Sequence, residues 1–309
     1  MEERKYKITN SAFCLLLRED EELQVSIAIE SLRRFGGEIG KSPVFIFIAS
    51  DKTENLNNSI KIIRNKFYNQ NVDIIEFQQD INFSEIPFAD KISAAAEAEK
   101  ILKEKFDTLI WLDSDTIFIS EPYEFLIPND FSLGFKAVHL TNIGSKCDEQ
   151  IDEFWHRIYE ICKVNVQNIF QIKSMIDRNN IRFYINAGLV ITRTKNNIFS
   201  NWYFYFKKAI KDKIILSFIK TDRKKLIFLH QAVLSATILS NLNTYELFEL
   251  SFTYNYPLHL HQKCPKYLQP NKLEDCITVR YDDLSLLNEK NFPIIINNGE
   301  IKDMLFKAD

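Results

Sequence analysis

The sequence predicts an α/β fold in which a mostly parallel central sheet is flanked by helices. Two observations carry that expectation. The first is a set of short, unbroken apolar runs: Phe13-Cys14-Leu15-Leu16-Leu17, Val44-Phe45-Ile46-Phe47-Ile48 and Leu109-Ile110-Trp111-Leu112. Runs of that length without polar alternation mark strands buried on both faces, as in a parallel sheet covered by helices. The second is that stretches of helical period separate the runs, and strand-helix alternation predicts right-handed crossovers.

Residues 13–17 form the first strand. Over residues 20–35, Leu23, Ile27, Leu32 and Phe35 fall on one helical stripe, and Gly36-Gly37 ends it. Pro43 opens a second strand, 44–48, which ends at Ser50-Asp51. Residues 54–68 repeat the helical pattern with Leu56, Ile60, Ile63 and Phe67, residues 72–77 make a third strand, and the Ala- and Glu-rich stretch 90–105 is a helix. Beyond Pro122 the pattern loosens. Residues 149–162 suit a helix, 181–193 a strand broken by Asn-Ala-Gly, 199–219 and 230–242 two helices, and 245–256 extended chain. The last quarter, punctuated by Pro257, Pro265, Pro270 and Pro293, is the least regular.

The chain is organised around residues 107–121, D-T-L-I-W-L-D-S-D-T-I-F-I-S-E. Here an apolar strand meets two carboxylates, Asp113 and Asp115. Ligand sites in parallel sheets gather at the carboxyl ends of the strands. Positions i and i+2 of an extended chain face the same side, so both carboxylates address one object. Two like charges beside apolar surface repel and are poorly solvated. A hard divalent cation with oxygen ligands relieves both costs, and a diphosphate can complete its coordination. The plain alternative is that the two aspartates cap a turn.

Composition bounds the rest. The 309 residues are 46% hydrophobic and 26% charged, an ordinary globular balance. A formal net charge of −3 gives no broad basic field, so nucleic acid is not an expected partner. The five cysteines, 14, 147, 162, 264 and 276, lack a C-x-x-C pairing and read as reduced thiols of a cytoplasmic protein. The apolar run at residues 12–17 is too short for a signal-peptide core or a membrane span, and no later segment reaches spanning length. Lys207-Lys208 and Lys211-Asp212-Lys213 would allow peripheral membrane contact or serve as a solvated helix face.

Three motifs in order, L-D-S-D-T at 112–116, N-A-G at 186–188 and H-Q at 230–231, resemble those of nucleotide-sugar glycosyltransferases with the GT-A fold, in particular the glycogenin and lipopolysaccharide galactosyltransferase group. The resemblance spans about residues 10–260 and implies a metal-dependent transferase. It also implies a single GT-A-like domain over 1–309, with a nucleotide-binding half at about 10–120 and a donor-sugar and acceptor half at about 121–309. The D-x-D match implies Asp115 as a direct Mn²⁺ or Mg²⁺ ligand, with Asp113 touching both the metal and the donor ribose. Asn186, Ala187 and Gly188 match the segment beside the donor sugar, where Gly lets backbone approach a ligand and Asn offers donor and acceptor. Lys91 matches a basic residue that contacts the donor diphosphate, and Asp51 matches a nucleobase or ribose contact loosely.

Gln231 matches the group's Asp-Gln at a helix start, whereas His230 stands where the group has Asp. The group's late metal-binding His, within H-x-x-G-x-x-K-P-W, has no counterpart. His259, His261 and Asp282 are the available substitutes, with His261 preferred. The implied donor is a nucleoside-diphosphate sugar, a UDP-sugar first, and the acceptor a carbohydrate, lipid-linked or protein hydroxyl. Two other readings remain open: a haloacid-dehalogenase-type phosphatase using Asp113 as nucleophile and Asp115 as acid/base, and a transferase-like domain that binds a nucleotide sugar without turnover. The aromatic stretch Trp202-Tyr203-Phe204-Tyr205-Phe206 is either acceptor groove or core.

Overall fold

A computed structural model describes residues 10–50, 53–79 and 86–306. Strand β1 (Ser11–Leu16), helix α1 (Glu22–Phe35), β2 (Val44–Ala49), α2 (Glu54–Lys66), β3 (Val72–Phe77), α3 (Ala89–Leu102) and β4 (Thr108–Leu112) follow the predicted alternation. These four strands are mutually parallel in the order β3-β2-β1-β4, with Phe13 opposite both Val44 and Ile110. Asp51 lies outside the described residues.

Alternate residues of each strand feed two cores. Ala12, Cys14, Trp111 and their neighbours pack under α3, while Phe13, Leu15, Ile46 and Ile110 pack against α1 and α2. Both faces of β1, β2 and β4 are covered, which is why those three read as continuous apolar runs, whereas the edge strand β3 carries exposed Asp73 and Glu76.

After β4 the chain turns into β5 (Thr116–Phe118), then β6 (Leu133–Ala137) and α4 (Glu153–Cys162). A two-stranded ribbon, β7 (Gln171–Lys173) and β8 (Asn180–Arg182), precedes β9 (Ile185–Arg193). Helices α5 (Ile198–Ala209), α6 (Lys213–Thr221) and α7 (Arg223–Asn241) lead to β10 (Leu247–Glu249). The main sheet has seven strands in the order β10-β6-β9-β4-β1-β2-β3, with β9 antiparallel to β4 and β6. A smaller sheet joins β11 (Tyr256–Pro257), β12 (Thr278–Arg280) and β5, and α8 (Gly299–Phe306) closes the described chain. Among the described residues no helix is long and apolar enough to cross a membrane.

Several expectations need correction. Asn186-Ala187-Gly188 do not break the strand: β9 runs through them, and the irregularity sits in its pairing with β6, where the register slips between Phe135 and Ala137. The expected helix over 199–219 is two, because the Asp212 carboxylate caps a fresh start by accepting from the Ile214 and Ile215 N–H groups. The helix carrying His230 starts at Arg223, capped by Asp222, so His230 is interior and not a helix-start residue. Residues 245–256 contain only β10 and the beginning of β11 as strand.

One buried carboxylate ties two layers together. Asn197, at φ +50°, does not cap α5 with its own side chain. Glu99 of α3, fully buried, accepts instead from the Phe199 and Ser200 N–H groups at 3.2 and 2.8 Å. Burial pushes the Glu99 pKa up, opposed by these bonds. Glu99→Ala leaves both donors unsatisfied. It is expected to lower unfolding free energy by about 2 kcal/mol, measured as the denaturant midpoint at unchanged m-value.

Candidate active site

The site grows from the end of β4. Leu112 lies opposite Leu189 of β9, and the Asp113 N–H donates to the Gly188 carbonyl at 2.9 Å. That antiparallel register sets residues 186–188 beside the two aspartates although they are far away in sequence. On the other side β12 pairs antiparallel with β5, with Arg280 opposite Thr116, so Arg280 is delivered next to Asp115.

The charged groups interlock. Lys91, in the first turn of α3 and only 2% exposed, places Nζ 2.5 Å from Asp113 Oδ1 and donates to the Ala187 carbonyl at 3.3 Å. Arg280 Nη2 lies 3.1 Å from Asp113 Oδ2 and 2.8 Å from Asp115 Oδ2. Its Nε donates to both Asp115 oxygens at 2.9 and 3.0 Å, and Nη1 donates to Asn186 Oδ1 at 3.3 Å. Asp115, 8% exposed, also accepts from the Asp282 N–H at 3.2 Å. Burial by itself would raise the Asp113 pKa, but the charges of Lys91 and Arg280 outweigh it and hold the carboxyl below its usual range. Burial pulls Lys91 down, and Asp113 offsets part of that. Burial likewise works against charge on Arg280, yet Asp115 and Asp113 leave its pKa raised.

Gly188 is explained by this packing. A Cβ there would lie 2.2 Å from Arg280 Nη1 and 2.7 Å from Asp113 Oδ2. The close approach that glycine permits is to the Arg280 guanidinium and the Asp113 carboxylate.

Lys91, Asp113, Asn186 and Arg280 line one wall of a cleft of about 330 Å³ that also includes Phe88, His139, His230, Gln231, His259 and Asp282. Gln231 Oε1 accepts from the Ala187 N–H at 3.0 Å and Nε2 donates to the Tyr184 hydroxyl at 3.2 Å, so Gln231 fixes the backbone of the Asn-Ala-Gly segment. His230 donates Nδ1–H to the Ile227 carbonyl at 2.8 Å, which leaves Nε2 as an acceptor. Its ring packs 4.2 Å from that of Phe88, a residue in the left-handed region at φ +64°. A strained non-glycine backbone at the entry of α3, touching the cleft, is the sort of outlier found at ligand sites.

Asp113, Lys91, Asn186, Ala187, Gly188, His230 and Gln231 are thus brought together, with Asp115 directly behind them. His261 is not. Leu258–Lys263 is a 3-10 helix, in which residues two apart point to different sides. His259 therefore faces the cleft, while the His261 ring meets the Tyr256 hydroxyl at 2.9 Å. The donor set expected for Mn²⁺ or Mg²⁺, Asp113 with Asp115 and His261, does not converge, and a guanidinium fills the space between the two carboxylates. Among the described residues no group of three or more His, Cys, Asp or Glu is arranged to hold a metal ion. As arranged, these residues do not fit a divalent cation. Of the aromatic stretch, Trp202 and Phe206 are core and Phe204 is exposed under Lys208, 4.3 Å from its ring, away from the cleft.

Sequence reasoning passes over Arg280 and His139. Arg280 ends the strand-like string Ile277-Thr278-Val279, and an Arg at the end of an otherwise apolar short strand is the signal that was there to find. A second arginine, Arg18, follows β1 and pairs with Asp90 at 2.5 and 3.0 Å, within the same electrostatic neighbourhood.

Two buried histidines predict that the molecule is acid-sensitive. Burial lowers His230 to about 3, with the Lys91 charge adding to the effect, and lowers His139 well below 6.5. A histidine with a depressed folded pKa is protonated first in the unfolded chain. Its contribution is therefore complete above the unfolded value near 6.5 and is lost as pH falls toward the folded value. The His230 ring costs on the order of 2 kcal/mol by about pH 5, and His139 acts in the same direction. The melting midpoint is expected to fall between about pH 7 and about pH 5. His230→Phe, which keeps a ring against Phe88, is expected to flatten that decline. A midpoint flat with pH in the unmodified chain would contradict the neutral histidines.

Two solved structures share this architecture. The galactosyltransferase LgtC, solved with donor and acceptor sugar analogues, superposes with a TM-score of 0.55 at 11% identity over 95% of this chain and 94% of that one. The bifunctional glycosyltransferase WbbM in its apo form superposes with a TM-score of 0.54 at 11% identity, over 97% of this chain and 49% of that one. At such identity the likeness is one of fold, and the fold is GT-A. No curated protein matches the sequence. Residues 15–241, most of the chain and nearly all of the main sheet, match the Rhodobacterales glycosyltransferase domain, and the chain belongs to that family.

Proposed function

We propose that the protein transfers a glycosyl group from a nucleoside-diphosphate sugar to an acceptor hydroxyl, on a carbohydrate, lipid-linked or protein acceptor. The observation that supports this most is the convergence of two buried cations, Lys91 and Arg280, on one wall of a polar cleft beside the carboxyl end of β4. A departing diphosphate gains negative charge as the glycosidic bond breaks. Fixed cations in a water-poor site stabilise that charge without reorganising at the moment of reaction.

In this reading Lys91 faces the diphosphate, and Asp113 orients Lys91 while presenting an oxygen to the ribose. The Asn186 carbonyl oxygen is taken up by the Gly188 N–H and Arg280, so its amide nitrogen is the part that serves a sugar hydroxyl. Neutral His230 offers Nε2 to another hydroxyl. Gln231 is a positioning residue that holds Ala187 and Gly188. The C1–O bond to the terminal phosphate breaks with its electron pair going to the phosphate oxygen, and the acceptor oxygen bonds C1. The hydroxyl proton passes to the diphosphate, a base that the reaction itself generates. No step is routed through a divalent cation, because the carboxylate pair as arranged does not offer one an open site.

An aspartyl-phosphatase reading needs a free Asp113 nucleophile, and both Asp113 oxygens are ion-paired. The test is release of nucleoside diphosphate from a panel of nucleotide sugars, uridine forms first, with mixed sugar acceptors. Lys91→Met is expected to lower kcat by about 100-fold; because it also leaves Asp113 short of a partner and lowers the melting midpoint, turnover is compared at a temperature where both chains are folded. Nucleotide binding without turnover on any acceptor would mark a binding domain instead, and hydrolysis of a simple phosphate ester would restore the phosphatase.

A further inference from the structure

The space between Asp113 and Asp115 is where two carboxylates would grip a cation, and it holds the Arg280 guanidinium. Its Nε and Nη2 reach both oxygens of Asp115 and Oδ2 of Asp113, and one Nη1 hydrogen reaches Asn186. A guanidinium has five N–H donors in a planar fork, so one Nη1 hydrogen is left for a ligand in the cleft that Arg280 lines. Asp115 Oδ2 already accepts from Nε, from Nη2 and from the Asp282 N–H, which leaves little of that carboxylate for a metal. Lys91 and Arg280 balance Asp113 and Asp115 before any ligand arrives, so a diphosphate meets aimed N–H donors in place of a surplus of positive charge.

A second observation shows that the position is built. Gly188 has no side chain where a Cβ would collide with Nη1 at 2.2 Å, and Asn186, two residues earlier on the same strand, turns its carbonyl oxygen to that nitrogen. Three elements, β4 with its following turn, β9 and β12, are shaped to seat a guanidinium.

We propose that Arg280 is a built-in replacement for the divalent cation, so that with Lys91 it receives the donor diphosphate and makes binding and transfer independent of added metal. The proposal rests on the nucleoside-diphosphate-sugar reading above. It makes Arg280 the residue that determines cofactor dependence, and it implies that the carboxylate pair becomes a metal site once the guanidinium is removed.

The test is calorimetric titration of UDP, GDP, CDP, ADP and TDP into the full chain, in excess EDTA or in MnCl₂. MnCl₂ alone is titrated into the unmodified chain, Arg280→Ala and Arg280→His. We expect one nucleoside diphosphate to bind with affinities within about twofold in the two conditions, and Arg280→Ala to lose about tenfold or more in EDTA. MnCl₂ alone is expected to give no binding heat with the unmodified chain and a saturable one with Arg280→His. Arg280→Lys, which keeps a cation, is expected to retain part of the affinity and guards against misfolding of the alanine variant, with melting curves recorded for each. Binding that appears only with MnCl₂ would overturn this proposal and leave the donor reading standing. Unchanged affinity in folded Arg280→Ala would also overturn it. Failure of every nucleoside diphosphate to bind in either condition would overturn both.

Discussion

Placing two carboxylates side by side at the end of a buried strand is costly in water-poor surroundings, and the remainder of the site can be understood as what keeps Asp113 and Asp115 charged. Lys91 and Arg280 do so from opposite directions, one from the first turn of α3 and the other from the short strand β12. Neither cation would tolerate its burial without the aspartates, and neither aspartate would stay ionised without the cations. Such a mutually dependent cluster is a poor source of stability, because desolvation offsets most of the Coulombic gain. What it provides is a fixed arrangement of charge facing a cleft.

Sheet topology makes the cluster possible. A purely parallel continuation beyond β4 would have carried the chain away through a crossover, whereas β9 enters antiparallel and brings Asn186, Ala187 and Gly188 to the mouth of the cleft in register with the aspartates. The Ala187 N–H and carbonyl are then claimed by Gln231 and Lys91, one from α7 and one from α3. Helices on the same side of the sheet thus grip one strand at the point where substrate chemistry is proposed.

The first half of the fold was legible in the sequence because it obeys local rules. Continuous apolar runs gave β1, β2 and β4, the mixed stretch 72–77 gave β3 at its observed limits, and the periodic stripes gave the helices between them. Beyond β4 the structure departs from local rules. The split between α5 and α6 depends on one capping aspartate within an otherwise helical stretch, and the start of α7 is hidden by a charged first turn, Arg223-Lys224-Lys225, with no apolar stripe. In the site, residues 113, 186–188 and 230–231, singled out chiefly by the resemblance of their motifs, stand together in the structure. Arg280 was missed for a different reason: an arginine closing a short strand is visible, but its nearness to Asp115 exists only through the pairing of two three-residue strands, β5 and β12. The choice of His261 over His259 failed on a similar point, since a strand and a 3-10 helix put alternate residues on opposite answers to the same question.

The contact between Gly188 and the Arg280 guanidinium also constrains how this protein can change over evolutionary time. A side chain at 188 and a guanidinium at 280 exclude each other sterically, so neither position can drift alone. A lineage that shortened residue 280 would free 188 to vary and at the same stroke uncover a pair of acidic groups, while one that enlarged 188 first would lose the guanidinium's seat before any substitute was in place. The two positions should therefore covary among relatives, with arginine at one appearing in company with glycine at the other, and the order of substitution should run through 280 first.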